Sequence, residues 1–266
     1  MKKGGNATMS GAVALALLLF LCRVHAGEAP WPATLLEKAD KIIKAYPEHL
    51  ARLEYGNLVW NDGTRMRFDD GEADKPFNVL LDAPDIEDQL AIPYPLDFPQ
   101  QAPGKDHDPG RIRNEAFFVK MYGDCSKGEV AGKLVPVVWM PKRGGGTFHV
   151  TTVNKVHERL KAVSDELETL PEEFTRYLVP AAGGYACRTV AGTSNRSAHA
   201  YGVAVDINPS SGNYWRWEAK GKYQYRNRIP SQIVRIFEKH GFIWGGKWYH
   251  FDTLHFEYRP DLLPPR

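Results

Sequence analysis

The sequence predicts an α+β fold, a small and mostly antiparallel sheet with flanking helices. Three observations carry that reading. Val153, Val156, Leu160, Val163, Leu167 and Leu170 recur at helical spacing, which predicts a core helix over 152–170. Ser231 to His240 forms a second helical segment, preceded by Pro230 and closed by Gly241. Short apolar runs between them, Leu134 to Met140 and Val203 to Ile207, have the length of buried strands.

Taken in order, the chain starts Met1-Lys2-Lys3, followed by an apolar run from Ala12 to Leu21 and then Val24-His25-Ala26. A positive start, a short apolar stretch and a small-residue cleavage site describe a secretory signal peptide over 1–26. The run is too short to span a bilayer comfortably, so no stable membrane anchor is expected after cleavage. Leu19, Phe20 and Leu21 before Cys22 are too large for a lipidation signal. The chain is therefore expected to be exported, to a periplasm or to the cell exterior.

Leu35 to Ile43 reads as an amphipathic helix. Residues 47 to about 115 are rich in Pro, Asp and Gly, which predicts an irregular extension with hairpins, 27–115, wrapping a core at 116–266. His107, within Gly104-Lys-Asp-His-Asp-Pro-Gly110, reads as a solvated turn residue.

Composition sets bounds on function. The chain has 266 residues, 43% of them hydrophobic, ample for one sizeable core. The formal charge of +2 becomes −1 once Lys2, Lys3 and Arg23 leave with the signal segment, which contains no acid. That balance, and the lack of a basic run interleaved with aromatics, argues against nucleic acid as a partner.

Two clusters carry the chemistry. Ser197-Ala-His199-Ala-Tyr-Gly202-Val-Ala204-Val-Asp206 and Asp252-Thr-Leu-His255-Phe-Glu257 supply two imidazoles and a carboxylate able to hold one Zn²⁺, plus a further carboxylate. Catalytic zinc sites use three protein ligands and keep a fourth position for water. Asp206 is the one charge in a strand-like apolar run, and a carboxylate there is costly unless paired or metal-bound. The competing reading makes Asp206 a strand-end cap for the turn at Asn208-Pro209.

The pattern Ser-x-His-x-x-Gly-x-Ala-x-Asp, then Asp-x-x-His-Phe-Glu, resembles the zinc D-alanyl-D-alanine carboxypeptidase family. That family includes the vancomycin-resistance D,D-dipeptidases and phage L-alanyl-D-glutamate endolysins. The resemblance is densest from about Tyr122 to Tyr258. It implies a hedgehog and D,D-peptidase-like fold, one Zn²⁺ per chain, and peptidoglycan stem peptides as the substrate class, acted on by a monomer. It makes His199, Asp206 and His255 the metal ligands and Asp252 the general base, where the better-known dipeptidases have Glu.

By the same resemblance Arg188, in Gly183-Gly-Tyr-Ala-Cys187-Arg188, is a candidate to bind a substrate carboxylate or stabilise an oxyanion. Arg196 is its rival, being nearer to His199 in sequence. Glu257 alternates with His255 on a presumed strand, so the two share a face and Glu257 can orient a histidine or the substrate amine. Ser197 and Trp244, the latter within an aromatic turn, complete the expected surroundings. His250 is assigned a supporting or exposed position rather than a ligand role. Cys125 and Cys187 remain after signal cleavage and invite a disulfide in an exported chain. Three functions follow: a D-alanyl-D-alanine-type carboxypeptidase, an L-alanyl-D-glutamate endopeptidase, or a non-catalytic zinc-bearing binding module of the kind hedgehog domains exemplify.

Overall fold

The computed structural model describes residue 1 and residues 31–217 and 224–264. The signal-peptide reading, Cys22 included, lies outside the described residues apart from Met1. Among the described residues no helix is long and apolar enough to cross a membrane.

The first helix, α1, is Ala33–Ala45, which buries Ala39 and Ile42. A three-stranded antiparallel meander follows: β1 Leu50–Glu54, β2 Asn57–Trp60 and β3 Arg65–Arg67. Tyr55-Gly56, both with positive φ, makes the two-residue turn between β1 and β2, the backbone choice that matches strand twist. These strands lie within the Pro-, Asp- and Gly-rich stretch that starts at residue 47. Short helix α2, Phe77–Asp82, comes next. Helix α3, Glu115–Tyr122, starts at Asn114, whose side chain accepts a hydrogen bond from the Phe117 amide.

Strands β4, Leu134–Val138, and β5, Thr147–Thr151, form an antiparallel hairpin. The expected buried strand is thus partly corrected: of β4 only Val137 is buried, and Pro136 and Val138 face solvent. A two-stranded sheet has a free edge on each strand, which is where Pro is tolerated. Helix α4 is Val156–Leu167, shorter than the predicted 152–170. Asn154 and Lys155 have left-handed backbones, with φ of 54° and 57°, and cannot continue a right-handed helix. Beyond its end, Pro171 disfavours helical geometry at Leu170. Short helix α5, Thr175–Leu178, precedes the site.

The sheet that carries the site has three strands: β6 Ala204–Asp206, β7 Phe242–Trp244 and β8 His255–Tyr258. Its order is β6-β8-β7, with both pairs antiparallel. Helix α6, Ser231–Lys239, packs Phe237 against Phe256, ring centroids 3.7 Å apart. The architecture is accordingly α+β with small antiparallel sheets.

The segment before α3 is fastened to this core within the unit Pro32–Arg266. Tyr94 Oη donates to Glu238 at 2.5 Å, and Trp248 Nε1 donates to the Pro109 carbonyl at 2.5 Å. Tyr46 Oη donates to Asp261 at 2.7 Å, and Asp261 also receives Arg259 at 2.8 Å. Arg259 and Asp261 are both buried. Without Asp261 the buried Arg259 would be left with the longer ion-pair contact to Glu257, at 3.8 Å, and be poorly paired. Asp261→Ala should therefore lose about 3–5 kcal/mol of folding free energy in urea titrations. The metal content of the folded fraction should not change.

Candidate active site

The metal-ligand candidates meet because of strand register. Asp206 on β6 lies directly opposite His255 on β8. His199 sits on a tight helical turn, Ala198–Tyr201, that ends at Gly202 with φ +68°. A side chain at Gly202 would press on Leu134 and Thr151, so glycine is needed for the turn to lie this close. The turn places His199 Nε2 3.2 Å from His255 Nδ1 and 3.3 Å from Asp206 Oδ1. His255 Nδ1 is 3.0 Å from Asp206 Oδ1.

These three atoms form the face of a tetrahedron of suitable size. Zinc bonds of about 2.0–2.1 Å imply ligand-to-ligand edges of about 3.3–3.4 Å. The remaining ring nitrogens are also occupied. His199 Nδ1 donates to the Gly184 carbonyl at 2.7 Å, and His255 Nε2 donates to Glu257 at 3.1 Å. Each imidazole then turns a lone pair toward the centre, the arrangement that metal-ligating histidines adopt. Two lone pairs and a carboxylate oxygen converging there need a cation. A proton is the other candidate: burial opposes it, but Asp206 and Glu257 outweigh burial and raise the His255 pKa to about 10. Metal binding would displace that proton. The residues fit Zn²⁺.

Gly183 supports the arrangement from the other edge of β6. Its backbone pairs with Asp206, and a Cβ there would lie 2.6 Å from Asp206 Oδ2. Gly183→Ala should push the carboxylate aside and weaken zinc binding about 10–100-fold, the range seen when ligand-orienting neighbours change. A competition titration against a chromophoric chelator would measure it.

Asp252 lines the same cavity as His199 and His255. Its Oδ1 is enclosed and has no hydrogen-bond partner among the described residues. Burial, with the Asp206 charge next, raises its pKa to about 6. Glu257 is buried behind His255. Burial opposes its charge, but Arg113 at 3.3 Å, His255 and Arg259 hold its carboxyl down at about 2.

The two arginine candidates separate. Arg188 lines the cavity, is exposed, and its guanidinium donates to the Thr189 carbonyl at 3.4 Å. Arg196 is committed to Glu115 at 2.8 Å and Asp124 at 2.5 Å. Ser197 is buried and lines the cavity. Cys125 and Cys187 are joined, with Cα atoms 5.6 Å apart, tying the segment after α3 to the residue beside Arg188.

Trp244 departs from expectation. It is fully buried, donates to the Thr253 carbonyl at 2.8 Å and stacks on Phe98. The turn Gly245–Lys247 brings Trp248 round instead, and Trp248 lines the cavity with its ring centroid 5.4 Å from that of His255.

Sequence reasoning missed the contribution of residues 108–113. Arg111 and Arg113 both line the cavity. Asp108, fully buried, accepts the His250 amide at 2.9 Å and His250 Nδ1 at 2.5 Å. His250 thus faces the cavity as an oriented imidazole rather than lying in solvent. The loop read as a solvated turn is packed on the site, and the His107 carbonyl receives the Tyr249 amide at 2.8 Å. The one available signal was Asp108 itself, an acid in a Pro-Gly turn with no local partner.

Two imidazoles and a carboxylate at tetrahedral edge lengths, beside a carboxylate with a free oxygen, are a donor set able to hold a metal ion. Residues 191–258 match the family model for D-alanyl-D-alanine carboxypeptidase. Over this segment the chain is similar to that peptidase family. The matched segment holds His199, Asp206, Asp252, His255 and Glu257 but not Arg188 or the cavity residues of the extension. No curated protein matches the chain.

Proposed function

We propose that this chain is a zinc-dependent peptidase of bacterial peptidoglycan peptides, cutting as a D-alanyl-D-alanine-type carboxypeptidase. The observation that supports it most is the triangle of His199 Nε2, Asp206 Oδ1 and His255 Nδ1, with the free Asp252 oxygen on the same cavity. Bound there, Zn²⁺ would polarise a scissile carbonyl and lower the pKa of a water from about 15.7 to about 7.

The protein's own groups supply the rest. Asp252 Oδ1 takes a proton from the attacking water and returns it to the leaving amine. A pKa of about 6 leaves this carboxylate ionised at neutral pH yet basic enough to be a good acceptor. Glu257 holds the Nε2–H of His255, which keeps the Nδ1 lone pair aimed at the ion. Arg188 offers its guanidinium to a substrate carboxylate or to the developing oxyanion. Ser197 and Trp248 form the adjoining walls.

The same proposal includes a hedgehog and D,D-peptidase-like fold, with residues 27–115 as an extension and 116–266 as the peptidase domain. It also has the chain act as a monomer, with one Zn²⁺, in the periplasm or outside the cell after signal cleavage.

Digestion of purified muropeptides with and without chelator, read by mass spectrometry, tests it. Zinc-dependent release of D-Ala supports the carboxypeptidase. An internal cut would instead make the chain an L-alanyl-D-glutamate endopeptidase. A folded, zinc-loaded protein giving no zinc-dependent product would make it a binding module.

A further inference from the structure

The cavity wall carries one positive charge that the chemistry above does not use. Three arginines line it: Arg111, Arg113 and Arg188. Arg113 is neutralised by Glu257 at 3.3 Å. Arg111 and Arg188 have no carboxylate within ion-pair distance among the described residues. The mechanism gives Arg188 a task and leaves Arg111 without one.

Arg111 is held in place rather than drifting in solvent. Its guanidinium carbon lies 5.9 Å from the Trp248 ring centroid, over the ring. Trp248 in turn sits beside His255, so the cation is one aromatic ring away from the metal-ligand triangle. The loop that delivers it is fastened on both sides. Before Arg111, Asp108 holds His250 and the Pro109 carbonyl receives Trp248 Nε1. The Gly110 carbonyl receives both Arg259 and Arg113 at 2.9 Å. Gly110 has φ +95°, and a Cβ there would lie 2.3 Å from Ile243 Cδ1. The close approach of this loop to β7 is therefore built in.

The surroundings connect the two free cations. Tyr214 lines the cavity, and its phenol lies in the electrostatic field of Asp252, Arg216, Arg111 and Arg188. A planar, permanently charged fork without an internal counter-ion, fixed on a cavity wall, suits a carboxylate of the bound molecule.

We propose that Arg111 forms a second carboxylate-binding subsite, so that the preferred substrate is an acidic peptide with two carboxylates, one for Arg188 and one for Arg111. This deepens the peptidase reading and rests on it. It gives the extension a role in substrate choice from outside the matched segment.

Equilibrium binding tests the subsite apart from turnover. The probes are γ-D-glutamyl-L-lysyl-D-alanyl-D-alanine, which has a free glutamyl α-carboxylate and a free C-terminus, and the two peptides amidated at one or the other. Calorimetry in the zinc-loaded Asp252→Asn background suppresses hydrolysis. Arg111→Gln should weaken the dicarboxylate peptide about 10–100-fold, as expected for losing a charged hydrogen-bonded pair. It should leave unchanged the affinity for one of the two amidated peptides, so that amidation and substitution are non-additive. Arg111→Lys, which keeps the charge without the fork, should recover part of the loss, and it guards against a folding defect in the glutamine variant. Additive losses for both amidated peptides, or equal wild-type affinity for all three, would overturn the subsite. Wild-type enzyme is assayed on the same peptides. Binding of the expected pattern without any cleavage would refute the peptidase reading and keep the subsite. Cleavage with additive losses would do the reverse.

Discussion

Asp252→Asn is expected to lower turnover by about 10²–10⁴-fold while leaving zinc content and fold intact. That range is the usual contribution of a positioned acid–base group. The variant is close to isosteric, and Asp252 Oδ1 makes no hydrogen bond whose loss would disturb packing. It removes proton acceptance from the attacking water and proton return to the leaving amine together, so both halves of the reaction suffer. Steady-state kinetics beside metal analysis checks this. Near-normal turnover would move the role to Glu257 or elsewhere, though Glu257 is already bound to His255 and Arg113.

Loss of a metal ligand should be more severe. His255→Ala removes one corner of the triangle and also frees the Glu257 oxygen it held. Glu257 keeps Arg113 at 3.3 Å, so it does not become an isolated buried charge and the fold should survive. Purified wild-type protein should carry about one zinc per chain by plasma mass spectrometry, His255→Ala should lose most of it, and hydrolysis should fall to background. Stoichiometric zinc retained in both His199→Ala and His255→Ala would sink the ligand assignment.

What could be read in the sequence was local or periodic. His199, Asp206 and His255 stand in two short motifs, and strand alternation puts Glu257 on the His255 face. The structure brings these side chains together through a single register, Asp206 opposite His255. What could not be read depended on contacts between distant segments. Asp108 reaches His250 across 142 positions, and Arg113 reaches Glu257 across 144. No periodicity links such pairs, and a Pro-Gly turn looks solvated until something packs on it. Trp248 rather than Trp244 faces the cavity for a different reason. The tight turn at Gly245–Lys247 reverses which tryptophan faces the cavity, and glycine pairs do not announce that geometry. The start of α4 was misplaced because Asn154 and Lys155 take left-handed backbones within an otherwise helical pattern.

The most direct test of the metal centre is a crystal of the mature protein grown with zinc, with anomalous diffraction recorded on both sides of the zinc absorption edge. The account predicts one edge-dependent peak within about 2.0–2.2 Å of His199 Nε2, Asp206 Oδ1 and His255 Nδ1. A peak elsewhere, or none between these three atoms in a zinc-saturated crystal, would contradict it.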